Sequence, residues 1–382
     1  MQHDYNKESL DLHLEHHGKI EIQSKVPLEN KDDLSKAYTP GVAEVCRKIA
    51  HDPTFARDYT LKRNTVAIVT DGSAILGLGN LGPLAAIPVM EGKAAIFKEF
   101  AGVDAFPICL DTQDTEEIIK AVKHIAPVFG GINLEDIAGP KCFEIEERLR
   151  KELSIPVMHD DQWGAATVVL AAFINALKVH NITKEEVTIV LSGIGAAGVA
   201  TARLLLLYGA KNIIFCDSKG IIHEGRTDLT KEKKELLLGS TLKPAAGNLT
   251  DAIKEAHVFI GLSIPNALTK EMVHTMAKRP IIFALANPTP EIMPEDAHSA
   301  GALIVATGRS DYPNQINNAL VFPGIFKGML DSGKKQFDNS IFIKIAEALA
   351  MYVKSPSAEA ILPSMFDKGV VDVVVKTIQG IK

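Results

Sequence analysis

The sequence predicts an α/β protein: an N-terminal mixed α/β domain followed by a doubly wound domain built on a mostly parallel sheet. Three observations lead there. From about residue 187, short β-branched runs alternate with helical segments. The glycine run GIGAAG, Gly193 to Gly198, lies between the first of those runs and a helix. Upstream, two acidic pairs, Glu135-Asp136 and Asp160-Asp161, each follow a strand-like run and bracket one helix.

Taken in order, residues 9–17 read as a helix that stops at Gly18, and KIEIQSKV reads as a strand. Helices are expected from Pro40 to about Ile49 and from about Gly82 to Phe100, the second open to a break at Pro88. TVAIVT (65–70), AFPICL (105–110) and PVFGGIN (127–133) are short, apolar and β-branched, the marks of strands. DTQDTEEIIKAVKHIA, between the last two, has an acidic start and a basic end, the polarity of a helix. PKCFEIEERLRKEL is a helix and IPVM a strand. Beyond residue 187 the strands are VTIVLS, NIIFCD, VFIGLS, PIIFALA and LIVAT. NSIFIKIAEALAMYVKS is an amphipathic helix capped by Asn339 or Ser340. The border falls between 130 and 165, giving domains of 1–155 and 156–382, with the acidic pairs at the cleft.

Composition narrows the class. The 382 residues are 46% hydrophobic and 23% charged, ordinary for a globular protein. A net charge of −6 gives no general attraction to nucleic acid or anionic lipid, so neither is expected as a partner. Cys46, Cys109, Cys142 and Cys216 are scattered and form no C-x-x-C pair. That argues for free thiols in a reducing, cytoplasmic compartment. The N-terminus is polar and lacks the pattern of a signal peptide, and the longest apolar stretch, VVLAAFINAL, is about half a bilayer span.

VTIVLSGIGAAGVATARLLLLYGA reads as strand, glycine turn and helix, the Rossmann-like dinucleotide fingerprint. Gly193 permits the tight turn, Gly195 lets a pyrophosphate approach, and Gly198 allows close helix packing, with Ala196 and Ala197 completing the phosphate cradle. Asp217 ends the next strand, where an acid binds ribose hydroxyls and favours NAD slightly over NADP. Lys219 and Arg226 nearby could offset that preference, and Asp217 could instead be a loop cap.

A hard divalent cation needs carboxylates converging from separate segments. Either acidic pair alone is better read as a helix cap or as solvated carboxylates. The two pairs at neighbouring strand ends suit Mg²⁺ or Mn²⁺, and no His or Cys cluster argues for zinc.

AYTPGVAEVC, VTDGSAILGLGNLGPLAAIPVMEGKAAIFKEFAGVDAFPI, INLEDI, MHDDQWG, ALANPTPEI and YPNQINNALVFPGIF together resemble the small bacterial type of malic enzyme, from about residue 10 to 375. The resemblance implies oxidative decarboxylation of L-malate to pyruvate and CO₂ with NAD or NADP and Mn²⁺ or Mg²⁺. It implies activity toward oxaloacetate, and a homodimer. By the same resemblance Glu135, Asp136 and Asp161 are metal ligands, and Asp160 supports them or assists proton transfer. Lys93 is the general base and Tyr38 the general acid. Asn287 and Asn318 hold malate or nicotinamide, and Ser73, Ala74, Ile75 and Leu76 lie near substrate and cofactor.

One departure stands out: the family usually reads DDQHGTA, and this chain has Trp163 and Ala165 at the His and Thr positions. That bears on affinity and loop packing more than on the reaction. The chemistry needs a neutral base. A free lysine titrates near about 10.4 and should titrate lower in a desolvated cleft beside a cation. Taken alone, Lys93 also reads as a surface lysine, Tyr38 as a core tyrosine, Asn287 as an Asn-Pro turn, and Asn317 and Asn318 as helix caps. Two other functions fit the dinucleotide signal: a different metal-dependent hydroxy-acid dehydrogenase, and a non-catalytic dinucleotide sensor.

Overall fold

The structure is a computed structural model and describes residues 4–381. Two parallel sheets organise it. The first contains β1 (Thr65–Thr70), β2 (Asp104–Cys109), β3 (Gly131–Leu134) and β4 (Val157–His159), in the order β2-β1-β3-β4. All its pairings are parallel, and Leu134 of β3 lies beside His159 of β4. The first sheet therefore extends past residue 155 to His159.

The second sheet contains β5 (Ile189–Ser192), β6 (Ile213–Asp217), β7 (Gly220–Ile221), β8 (Val258–Gly261), β9 (Ile281–Ala284) and β10 (Ile304–Thr307), in the order β10-β9-β8-β5-β6-β7. All neighbours are parallel except β7, a short antiparallel edge. The strand order reverses at β5, so the crevice beyond its C-terminal end is where this topology binds ligands.

Helix Asp160–His180 leads from the first sheet toward the second. It is apolar on every face because every face is covered, with helices Ala196–Tyr208 and Asn339–Tyr352 packed along it. Its 21 residues would match a bilayer in length, yet most of it is buried inside the protein.

Several expectations are corrected. KIEIQSKV is not a strand. Its Ile20 and Ile22 alternate correctly but are exposed, and among the described residues no neighbouring strand pairs with it. Helix Pro83–Ala101 runs unbroken through Pro88. The carbonyl crowded by that ring belongs to Leu84, in the first turn and 81% exposed, where displacement costs least. The third strand starts only at Gly131, because a turn follows the helix, with the Val128 and Phe129 amides donating to the Ile125 and Ala126 carbonyls. Helix Asn339–Tyr352 is capped by Asp338, whose carboxylate accepts from the Ser340 amide at 3.1 Å.

Candidate active site

β3 and β4 are adjacent, parallel and in register, so the acids that follow them leave the same edge side by side. Glu135 and Asp136 come from the loop after β3, and Asp160 and Asp161 form the first turn of the helix after β4. Carboxylates at a helix N-terminus are stabilised by the helix dipole. The Asp136 amide donates to Asp161 Oδ2 at 2.8 Å, locking the two pairs together. One oxygen from each of Glu135, Asp136 and Asp161 lies within 4.8 Å of the others. Asp136 has φ 51°, a left-handed conformation that costs a non-glycine residue about 1–2 kcal/mol, though Asp tolerates it better than most. Its Oδ2 is buried with no hydrogen-bond partner. Hard oxygen donors, convergence and an unsatisfied buried oxygen all fit a divalent cation.

Lys93 projects from helix Pro83–Ala101 into this cluster and is 6% exposed. Its Nζ lies 2.6 Å from Glu135 Oε2, bonds Asp160 and sits 4.3 Å from the centre of the Phe322 ring. Asn318 donates to the same oxygen of Asp160 at 2.6 Å, and Asn133 donates to Glu135 Oε2 at 2.9 Å. Burial works against the Lys93 ammonium, but Asp160, Glu135 and Asp161 outweigh it and hold the group above the ordinary lysine range. In the cation-free chain the protein's own groups therefore raise the lysine; the expected lowering belongs to the site with its cation bound. Burial and then Asp161 push Glu135 well up, and the same two causes push Asp136 up to about 7.

The loop after β1 braces the cluster. The Ala74 amide donates to the Asp136 carbonyl at 3.0 Å, and the Leu76 amide to Asp136 Oδ1 at 3.4 Å. The Ser73 hydroxyl donates to Asp71 at 2.6 Å and accepts from the Ala138 amide at 2.9 Å, while Ile75 is buried in the core. Asn287 is exposed at the end of β9, where its carbonyl approaches Gly77 closely and joins the loops of the two sheets. Asn317, not Asn318, supplies the cap, accepting from the Ala319 amide at 2.9 Å. Tyr38 stands apart: it is 67% exposed and, among the described residues, shares no hydrogen bond with the Lys93 cluster.

The glycine fingerprint has the geometry its sequence implies. Gly193 has φ 97°, and a Cβ there would lie 2.2 Å from the Leu262 carbonyl oxygen. A Cβ on Gly198 would lie 1.9 Å from the Gly193 carbonyl oxygen. Gly195 faces open space and precedes helix Ala196–Tyr208, which has no side-chain cap. The free N–H groups of Ala196, Ala197 and Gly198 can therefore receive a pyrophosphate. At the far end of the crevice Asp217 is engaged. Arg226 grips it at 2.8 and 3.0 Å and Lys233 at 2.6 Å. Burial raises the Asp217 carboxyl, but the Arg226 and Lys233 hydrogen bonds prevail and bring it to about 2.

Sequence reasoning missed Glu146, Asn133 and Phe322. Glu146 did leave a signal: it shares the helical stripe of Cys142, Ile145 and Leu149, all buried, so a carboxylate stood where an apolar residue belonged. Trp163 points into the core, its indole stacked on Phe342 with ring centres 5.0 Å apart.

Fold and site define an oxidoreductase scaffold, a dinucleotide crevice joined to an acidic cluster fit for a divalent cation. The malic enzyme N-terminal domain matches residues 17–150 and the malic enzyme NAD-binding domain matches residues 163–377. The bifunctional malic/malolactic enzyme of Bacillus subtilis is 53% identical over 97% of this chain and 92% of its own length. The NAD-dependent malic enzyme of Geobacillus stearothermophilus is 55% identical over 93% of this chain and 74% of its own. The crystal structure of an NAD-dependent malic enzyme from Thermotoga maritima superposes with a TM-score of 0.94 at 48% identity, covering 97% of this chain and 99% of that one. The chain belongs to the malic enzyme family.

Proposed function

We propose that the protein oxidatively decarboxylates L-malate to pyruvate and CO₂, reducing NAD⁺ or NADP⁺, with Mn²⁺ or Mg²⁺ held by Glu135, Asp136 and Asp161. The observation that carries this is a buried lysine among carboxylates that also form a cation site. When bound, the cation polarises the C2 oxygen and offsets the negative charge that keeps Lys93 protonated, and the dinucleotide accepts the hydride. Lys93 then takes the proton of the C2 hydroxyl and passes it toward Asp160, which Lys93 and Asn318 both hold. Tyr38 returns a proton to C3 after CO₂ leaves. Asn287 bounds the cleft on the nicotinamide side, and the 73–76 loop keeps Asp136 in place for the substrate. Gly193 to Gly198 cradle the pyrophosphate and Asp217 faces the ribose.

The chain works as a homodimer in this reading. Helices Tyr5–His16, Lys31–Ala37 and Val42–His51 contain no buried residue, and Leu10, Leu14, Ile22, Leu28, Leu34 and Tyr38 are all exposed. An apolar arm of that kind fits a second copy, and Lys93 is then served by the partner subunit's Tyr38. Mixing inactive Tyr38→Phe and Lys93→Ala chains should restore part of the activity, whereas a tyrosine acting within its own subunit gives none. The unpaired cysteines support a cytoplasmic setting.

The decisive assay supplies malate with each cofactor and follows reduced cofactor and pyruvate, with and without Mn²⁺. Accumulation of oxaloacetate in place of pyruvate would point to a different hydroxy-acid dehydrogenase, and no turnover at all to a dinucleotide sensor.

A further inference from the structure

Glu146 is buried and has no role in the chemistry above. It projects from helix Lys141–Glu152, between the two acidic pairs in sequence, and turns toward the second of them. Its Oε1 accepts from the His159 backbone amide at 3.1 Å. Its Oε2 accepts from Gln162 Nε2 and from Trp163 Nε1, each at 3.0 Å. Arg150 stands 4.0 Å from Oε1 and donates instead to the Phe337 carbonyl. The three donors therefore come from residues flanking Asp160 and Asp161 on both sides.

That placement answers a local need. His159 is the N-cap of helix Asp160–His180 and makes no side-chain cap. Its own backbone N–H goes to Glu146, and the first-turn side chains Gln162 and Trp163 converge on the same carboxylate. From the same turn Asp160 reaches Lys93 and Asn318, while Asp161 accepts from the Asp136 amide. The turn is held from two sides, by Glu146 behind and by the cluster in front. Trp163 stiffens the rear anchor, since its ring stacks on Phe342, which stacks on Phe337.

We propose that Glu146 is a positioning residue that fixes the first turn of helix Asp160–His180, and so holds Asp161 within reach of Glu135 and Asp136. The inference rests on those three acids binding the cation. Trp163 is part of the device, so this chain's tryptophan serves as a hydrogen-bonded strut behind the site and not as a group facing the substrate.

The test is direct titration with Mn²⁺, beside titration with NAD⁺, of the wild type, Glu146→Gln and Trp163→Phe. Outer partners of metal ligands typically govern about 10–100-fold in affinity. Glu146 bonds the turn and none of the three acids themselves, so Glu146→Gln should weaken Mn²⁺ by about tenfold, the low end of that range, leave NAD⁺ within about twofold, and recover kcat at saturating Mn²⁺. Trp163→Phe keeps the stack and loses one donor, so it should weaken Mn²⁺ less; it also carries the test if Glu146→Gln fails to fold. Unchanged Mn²⁺ affinity in the folded variants overturns the proposal. So does an equal loss of NAD⁺ affinity, or a kcat that stays low at saturating metal. A wild type that binds no Mn²⁺ overturns the cation reading itself, a separate outcome.

Discussion

At one end of the cleft Lys93, a single ammonium, is enclosed by Glu135 and Asp160, with Asp136 and Asp161 close behind. At the other end Asp217, a single carboxylate, is enclosed by Arg226 and Lys233, with Lys219 and Asp228 completing the group. The first group has an excess of negative charge in a buried place, and the second has more cations than anions nearer the surface. Burial of unbalanced charge is costly, so the first group stays poised for a divalent cation. In the second the lone acid that would repel a 2′-phosphate is already neutralised, and cationic charge is left over. Those cations work against the preference for NAD that Asp217 alone would give.

The largest expected effect tests the negative end. Lys93→Ala should lower kcat by about 10²–10⁴-fold, the range for a positioned general base. It should not weaken Mn²⁺, because Glu135 and Asp160 lose a competing cation. Steady-state rates with a parallel Mn²⁺ titration decide this, and near-normal turnover would remove Lys93 from the chemistry. The next effect tests the positive end. Arg226→Ala removes two hydrogen bonds to Asp217 and re-exposes its charge. A charge-assisted bond is worth about 1.5–3 kcal/mol, so the NADP/NAD ratio of kcat/KM should fall by about tenfold or more. An unchanged ratio would mean that Arg226 does not face the 2′ position.

The contrast also marks what the sequence could reveal. Most of the strands, the glycine turn and the two acidic pairs are local patterns, and the turn and the pairs each follow the strand expected to carry them. The acidic pairs converge because β3 and β4 are neighbours in register, a simple consequence of one intervening helix. Other features depend on contacts between distant segments. Lys219 and Arg226 were legible as charges near Asp217, but not that Arg226 bonds it directly or that Lys233 joins from further along the chain. Glu146 was passed over because a glutamate in a helix is ordinarily solvated, although its place on the apolar stripe was legible. KIEIQSKV had the alternation of a strand and failed for want of a neighbour. Trp163 lies two residues after Asp161 in the chain, yet the helical turn swings its ring away from the cluster and into the core.

The smallest effect separates the two ends by the sign of their response to pH. Asp217 in the folded chain titrates at about 2, below its unfolded value of about 3.9. Its interactions therefore stabilise the fold fully above about pH 4, and that contribution is lost as pH falls toward 2. Asp136, pushed up to about 7, has the reverse linkage: in the cation-free chain it disfavours the fold increasingly as pH rises from about 4 to 7. Unfolding by urea should thus show Asp217→Asn less stable than wild type at pH 6, with the gap closing near pH 2.5. Partial exposure and salt will keep the gap modest. A gap that stays constant over that range would mean that the Asp217 charge, as distinct from its shape, contributes nothing to holding Arg226 and Lys233.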